Sequence, residues 1–411
     1  MNRTLPGWLR GLFVALVPVV LILLTYANYD FVVKSPGGND FLARWMGAKA
    51  WVQDGISPYD PSVSLETQEV IYGRPARPES GEDIGHFVYP LPSMIFFAPF
   101  GLLPFQPARA IWMTILEVGL ILLSILGFRI AKWNPGRGLL ILILLFSLTW
   151  YHGIRAVILG QFAIIEAILM VGALIAIQRK NDLFGGLLLA LSMAKPQMAF
   201  LLIPFVIFWA ISRKRWGLVA SIIGFNILLF GGFMLLMPDW PLQWITQVIE
   251  YPAYSPAKPF VAIIADFFPG ISSGLNLGLS ILFIGYMLWE WVLAMAKDDR
   301  WFQWTAAITI VITSAVVLRT ATTNYLAMVP AMMIIFSIWA QRWKLRGEIG
   351  VAAALILLFF GLWILFIRTV NGNLEDPVMY LPLPTMMLLG LWWVRWWFIR
   401  PVSLPYEDRF Q

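Results

Sequence analysis

The chain contains no cysteine in its 411 residues. Its loops therefore carry no disulfide, and thiol chemistry and Cys-ligated zinc are excluded. Histidine is almost missing too, with only His86 and His152 present, and no His-Glu-x-x-His zinc motif can be built. No Gly-x-x-x-x-Gly-Lys-Ser/Thr loop occurs, and no soluble domain that could bind a nucleotide is visible. Charge is scarce: 13% of residues are charged against 60% hydrophobic, with a mean hydropathy of +0.76. Such a balance excludes a soluble protein of this length and predicts a polytopic membrane protein.

The apolar runs are long and continuous, which predicts an all-α bundle of transmembrane helices rather than a barrel of short alternating strands. About twelve spans are expected, near 11–28, 108–128, 138–151, 161–178, 183–194, 197–211, 217–237, 274–296, 301–318, 322–340, 349–367 and 377–396. The Pro-rich stretch 90–104 reads as a partly embedded external segment, or as a thirteenth, broken span. Seven basic clusters fall on one face of this topology: Arg3/Arg10, Arg129/Lys132/Arg137, Arg179/Lys180, Arg213/Lys214/Arg215, Lys297/Arg300, Arg342/Lys344/Arg346 and Arg395/Arg400. The positive-inside rule makes that face, and both termini, cytoplasmic. The net charge of +6 then reports topology, and no nucleic-acid partner is needed to explain it.

The whole chain, 1–411, reads as one integral-membrane domain with two unusual external stretches. The first, about 30–107, holds Asp40, Glu66, Glu69, Asp83 and His86 and is expected to be partly helical. The second, 238–273, is rich in Trp, Tyr and Pro. Arg155, Lys195, Arg319 and Arg368 sit at the outer ends of expected helices. Isolated charges near membrane depth cost roughly 2.5–3.5 kcal/mol on insertion scales, so they tend to face cavities. Each also has a plainer reading. Asp40 would serve as the N-cap of a helix beginning at Phe41, outer Arg and Lys would snorkel to headgroups, and Lys195-Pro196 would be a helix end with a solvated neighbour. Glu117, Glu166 and Glu290 fall inside expected spans, where packing and function compete to explain them.

Several fixed spacings coincide. Asn39-Asp40-Phe41 is followed by Gly47-Ala48-Lys49-Ala50, then Asp54-Gly55-Ile56-Ser57-Pro58-Tyr59-Asp60 and Phe87-Val88-Tyr89-Pro90-Leu91-Pro92. With Gly160-Gln161, Ala194-Lys195-Pro196 and Asn324-Tyr325-Leu326, this resembles glycosyltransferase family 87, which includes polyprenol-phosphate-mannose-dependent α-1,2-mannosyltransferases. The resemblance implies a GT-C-type fold and an active site facing outside a prokaryotic plasma membrane. It also implies a polyprenyl-phosphate-sugar donor, a glycolipid or polysaccharide acceptor, and inversion by single displacement.

On that reading Asp40 is the general base that takes the acceptor proton. Arg319, Lys195, Arg155, Arg368 and His86 are the candidates to hold the donor phosphate, Arg through bidentate contacts and Lys as a point charge. Tyr59, Tyr89, Gln161 and Asn324 are the expected sugar or acceptor contacts. No external Asp-x-Asp pair holds a nucleotide sugar and no metal ligands are assigned. No cofactor is required, although scattered carboxylates could bind a divalent ion. A flippase or transporter of lipid-linked glycans and a glycan ligase are the rival readings. The absence of an internal repeat weighs against the transporter.

Overall fold

The computed structural model describes residues 7–254, 257–317, 320–371 and 375–400. The regular elements are helical: α1 (Gly7–Lys34), α2 (Asn39–Lys49), α3 (Pro61–Tyr72), α4 (Met94–Gly101), α5 (Phe105–Ile130), α6 (Arg137–Thr149), α7 (Tyr151–Leu159), α8 (Ala163–Gln178), α9 (Asp182–Leu191) and α10 (Pro196–Ala199). They continue with α11 (Leu202–Ser212), α12 (Trp216–Leu236), α13 (Trp240–Tyr254), α14 (Phe260–Asp266), α15 (Ser272–Ala294), α16 (Asp299–Val316), α17 (Val329–Trp343), α18 (Leu345–Thr369) and α19 (Pro382–Phe398). The all-helical membrane architecture expected from hydropathy is present.

Among the described residues seven helices are long and apolar enough to cross a membrane, or eight if the bent pair α6–α7 counts as one span. That is fewer than the twelve separate runs expected. The reason is breakage: α6 and α7 meet at 43°, and the apolar helices 163–178, 182–194 and 202–212 are each too short to span alone. The segment 91–101 is likewise a short apolar helix, in keeping with a partly embedded segment. Proline enforces one break, because Pro196 disfavours helical geometry at Lys195, which adopts φ −131° and ψ 71°.

Two of the three carboxylates inside expected spans have packing roles. Glu290 accepts from Arg395 Nε at 2.8 Å and from the Tyr286 hydroxyl at 2.9 Å, tying α15 to α19. Glu117 accepts from Asn28 at 2.9 Å, tying α5 to α1. Glu166 is fully buried and neither of its oxygens has a partner.

The stretch between α1 and α5 folds onto the bundle rather than hanging as a loop. Helix α2 continues into one wide π turn, Ala50–Asp54, and stops at Gly55 in the left-handed conformation (φ +67°) that glycine adopts without strain. Helix α4 lies against α2 so closely that a Cβ on Gly101 would stand 2.6 Å from the Ala48 carbonyl carbon. Gly101→Ala is therefore expected to destabilise the protein by ~1–3 kcal/mol through overpacking. Thermal unfolding in detergent measures this, with Gly361→Ala, which has open space around it, as the neutral reference; equal melting temperatures would show that α2 and α4 do not meet.

Candidate active site

The site grows from the start of α2. Gly38 is the N-cap, at φ +75° and ψ 32°, and Asp40 lies half-buried in the first helical turn. The N-cap reading of Asp40 is thereby corrected: the helix begins at Asn39, and no side chain makes the capping bond. Among the described residues the Asp40 side chain has no hydrogen-bond or ion-pair partner.

Phe41, fully buried, fixes the direction of this turn. Its ring stacks on Trp112 at 5.4 Å, and its Cβ occupies the space that a side chain at Gly160 would need. Gly160 has φ +71°, and its carbonyl accepts from Trp112 Nε1 at 2.9 Å. The next residue, Gln161, accepts from Lys195 Nζ at 2.9 Å. One glycine turn thus joins the Asp40 helix start to the amide that holds Lys195.

Lys195 is only 3% exposed, so it is not the solvated neighbour of a helix-ending proline. Burial lowers its pKa to about 7, with the Asp40 and Glu166 carboxylates opposing that fall and Arg44 adding to it. Arg44, one turn along α2 from Asp40, places its guanidinium 4.4 Å from the centre of the Tyr89 ring. Burial also pushes the Asp83 carboxyl up; a bond from the Gly85 N–H opposes this and the Asp40 charge adds to it.

Helix α13 closes over this group. Gln247 accepts from the Val88 N–H at 3.1 Å and donates to the Tyr59 carbonyl at 3.2 Å, while Trp244 Nε1 donates to the Val88 carbonyl at 3.1 Å. These bonds hold Val88 at φ +46°, an unfavourable conformation for a β-branched residue. Gln243 accepts from the Ser57 hydroxyl at 2.6 Å. His86 lies between Ser64, 2.6 Å from Nδ1, and Glu250, 3.5 Å from Nε2. Burial lowers the His86 pKa and Glu250 opposes the fall. The Tyr59 hydroxyl donates to the Tyr89 carbonyl at 2.6 Å, so both residues brace the segment that α13 covers.

Arg155 belongs to a second group. Glu375 accepts from the Tyr151 and Thr322 hydroxyls, each at 2.6 Å, and its other oxygen is 3.7 Å from Arg155 Nε. Tyr251 of α13 lies within electrostatic reach of Tyr89 in the first group and Tyr380 beside the second. Asn324 donates to Thr320 at 3.2 Å and its side-chain oxygen is buried without a partner. Arg368 ends α18 on an exposed face. Arg319 lies outside the described residues.

The structure thus brings Asp40 within electrostatic reach of Lys195 and of Tyr89, with Gln161 bonded to Lys195, and places Arg155 and Asn324 elsewhere, Arg155 beside Glu375. Arg44 was legible as an (i, i+4) partner of Asp40. Glu375 and the three α13 residues Gln243, Trp244 and Gln247 had no local signal, because their partners lie far away in the chain.

Lys195 offers a direct test of this arrangement. The folded chain releases its proton near pH 7, whereas the ordinary value is 10.5. Between these values the unfolded chain binds more protons, so stability rises with pH across the window. Lys195→Met is expected to flatten that rise. Melting temperatures of both proteins followed across this range measure it, and parallel curves would show that Lys195 keeps its ordinary affinity for protons.

Residues 87–254 match the family model described as Glycosyltransferase family 87. No curated protein and no solved structure matches the chain. The matched stretch contains Tyr89, Arg155, Gln161, Lys195 and helix α13, and it ends short of Asp40 on the N-terminal side. Residues 87–254 are thus similar to glycosyltransferase family 87, within a chain whose described residues include seven helices long and apolar enough to cross a membrane.

Proposed function

We propose that the enzyme transfers a sugar from a polyprenyl-phosphate donor to a hydroxyl on a glycolipid or polysaccharide at the outer face of a prokaryotic plasma membrane. Mannose is the leading sugar, and arabinofuranose or another pentose comes second. The positive-inside reading supports this orientation, with both termini cytoplasmic. The observation that carries the proposal is the setting of Asp40: a half-buried carboxyl group, bonded to no other side chain among the described residues, within the electrostatic reach of a buried lysine.

The acceptor oxygen attacks the anomeric carbon while the bond from that carbon to the phosphate oxygen breaks, inverting the centre. Asp40 takes the acceptor proton as the new bond forms. Negative charge grows on the departing phosphate, and Lys195 stabilises it best in a water-poor site. Lys195 is kept in place by Gln161, so its charge meets the phosphate without a conformational search. Arg319 is the second cation assigned to the phosphate. Arg155 serves it once Glu375 yields its place, and Arg368 and His86 have more peripheral roles. Tyr89 and Asn324 offer polar edges to sugar or acceptor, and Tyr59 supports Tyr89 from behind.

An apolar cleft of about 220 Å³ between α6 and α18, lined by Leu142, Leu145, Phe146, Leu355, Phe359 and Phe360 among others, supports lateral entry of the prenyl tail. It reaches Thr149, whose carbonyl accepts from Trp363, close to the Tyr151–Arg155 group. No metal is assigned to this chemistry.

Asp40→Asn is expected to reduce transfer by ~10²–10⁴-fold with donor binding retained. The assay uses membranes with matched amounts of both proteins, labelled polyprenyl-phosphate mannose and a native lipid acceptor pool. Full activity in the variant removes Asp40 as the base. Inactivity of both proteins counts against the sugar, the acceptor or the enzyme class and turns the test to transport of an intact lipid-linked substrate.

A further inference from the structure

We infer that Arg109 is a positioning residue for Asp40, acting through the glycine pair that starts α2; the inference rests on the reading of Asp40 as the base. Arg109 lies near the start of α5 and is 1% exposed. Its Nη1 donates to the Ser35 carbonyl at 3.0 Å, just beyond the end of α1, and its Nη2 to the Ile158 carbonyl at 3.4 Å, near the end of α7. The guanidinium lies directly against Gly37 and Gly38. A Cβ on Gly38 would collide with Nε and stand 2.9 Å from Cδ, and a Cβ on Gly37 would lie 3.6 Å from Nη2.

Both glycines have positive φ, +140° and +75°, and they lead directly into Asn39 and Asp40. Chain entering α2 therefore lies directly against one guanidinium, which also bonds the residue that follows α1. The same group reaches the α7 terminus, two residues before the Gly160 turn that receives Phe41 and one more before Gln161, which holds Lys195. Arg109 thereby sets the distance between the base and the lysine from behind, touching neither. A planar fork is needed for this role: it bonds two carbonyls in fixed directions while lying against glycine, which a tetrahedral ammonium on a flexible stem does not reproduce. Among the described residues its Nε has no partner, so the two carbonyls and the glycine pair are what hold this buried arginine in place.

The consequence is kinetic. Displacing a reacting group by about 1 Å costs on the order of 10²-fold in rate, so Arg109→Lys and Arg109→Ala are expected to lower kcat towards that extent. KM for the donor should stay unchanged, because Lys195 and Gln161 remain. Gly38→Ala should act in the same way, by pushing on the guanidinium.

The test is a double-mutant cycle on full-length protein in membranes, with Arg109→Lys, Asp40→Asn and the pair, using labelled polyprenyl-phosphate mannose. If Arg109 acts through Asp40, it costs nothing further in the residual transfer of Asp40→Asn. Equal losses from Arg109→Lys in both backgrounds would show a general structural role and overturn the inference, as would an unchanged kcat in Arg109→Lys. Full activity of Asp40→Asn would instead overturn the reading of the base, a separate result. Where Arg109→Ala fails to fold, Arg109→Lys, eluting as a monodisperse species in detergent, carries the cycle alone.

Discussion

A close approach between two pieces of backbone governs the site. Phe41 can lie against Gly160 only because residue 160 has no side chain and tolerates φ +71°. That contact sets the start of α2 beside the α7–α8 turn, and with it the relation between Asp40 and Lys195. Trp112 fastens the contact from below, stacking on Phe41 and donating to the Gly160 carbonyl with the same indole. A larger residue at 160 would push the start of α2, which carries Asp40, away from the turn whose Gln161 holds Lys195. The catalytic proposal therefore depends on packing around an apolar ring as much as on charged groups.

Buried charge imposes the second constraint. An ion removed from water costs several kcal/mol unless hydrogen bonds and opposite charge replace the lost hydration. Arg155 meets this cost with Glu375 and stacks near Tyr151 and Phe366. Among the described residues Lys195 has one hydrogen-bond partner, the Gln161 amide, with two carboxylates acting at a distance. A cation so incompletely satisfied is suited to receive an anion, because the ligand supplies what the fold withholds. Glu375 fits the same logic from the other side: it gathers two hydroxyls and a guanidinium, the donors that a phosphate oxygen would also attract.

Helix α13 gives the first external stretch its shape. Its Gln247 and Trp244 bond both backbone groups of Val88, and this keeps a strained valine next to Tyr89. The covered segment carries Asp83 and Arg44's aromatic partner, so the electrostatics around Asp40 depend on a helix some two hundred residues later in the chain. Long-range hydrogen bonds of this kind make a stretch without repeats or disulfides behave as part of the bundle.

Hydropathy alone determined that this chain is an all-helical membrane protein, since backbone groups in lipid must pair within the helix. The family resemblance around Asp40, Gly160-Gln161 and Lys195-Pro196 also marked residues that lie within bonding or electrostatic reach of one another. The number of full spans was not legible from apolar runs, because a break at Trp150 or Lys195 leaves hydropathy high on both sides while ending the helix. Tertiary structure decided the rest. It made Lys195 buried rather than solvated and Asp40 a first-turn residue rather than a cap, and it brought Arg109 to Gly38 and Glu375 to Tyr151. Those contacts join positions 71 and 224 residues apart, and a one-dimensional pattern holds no distance between residues that only a folded chain brings together.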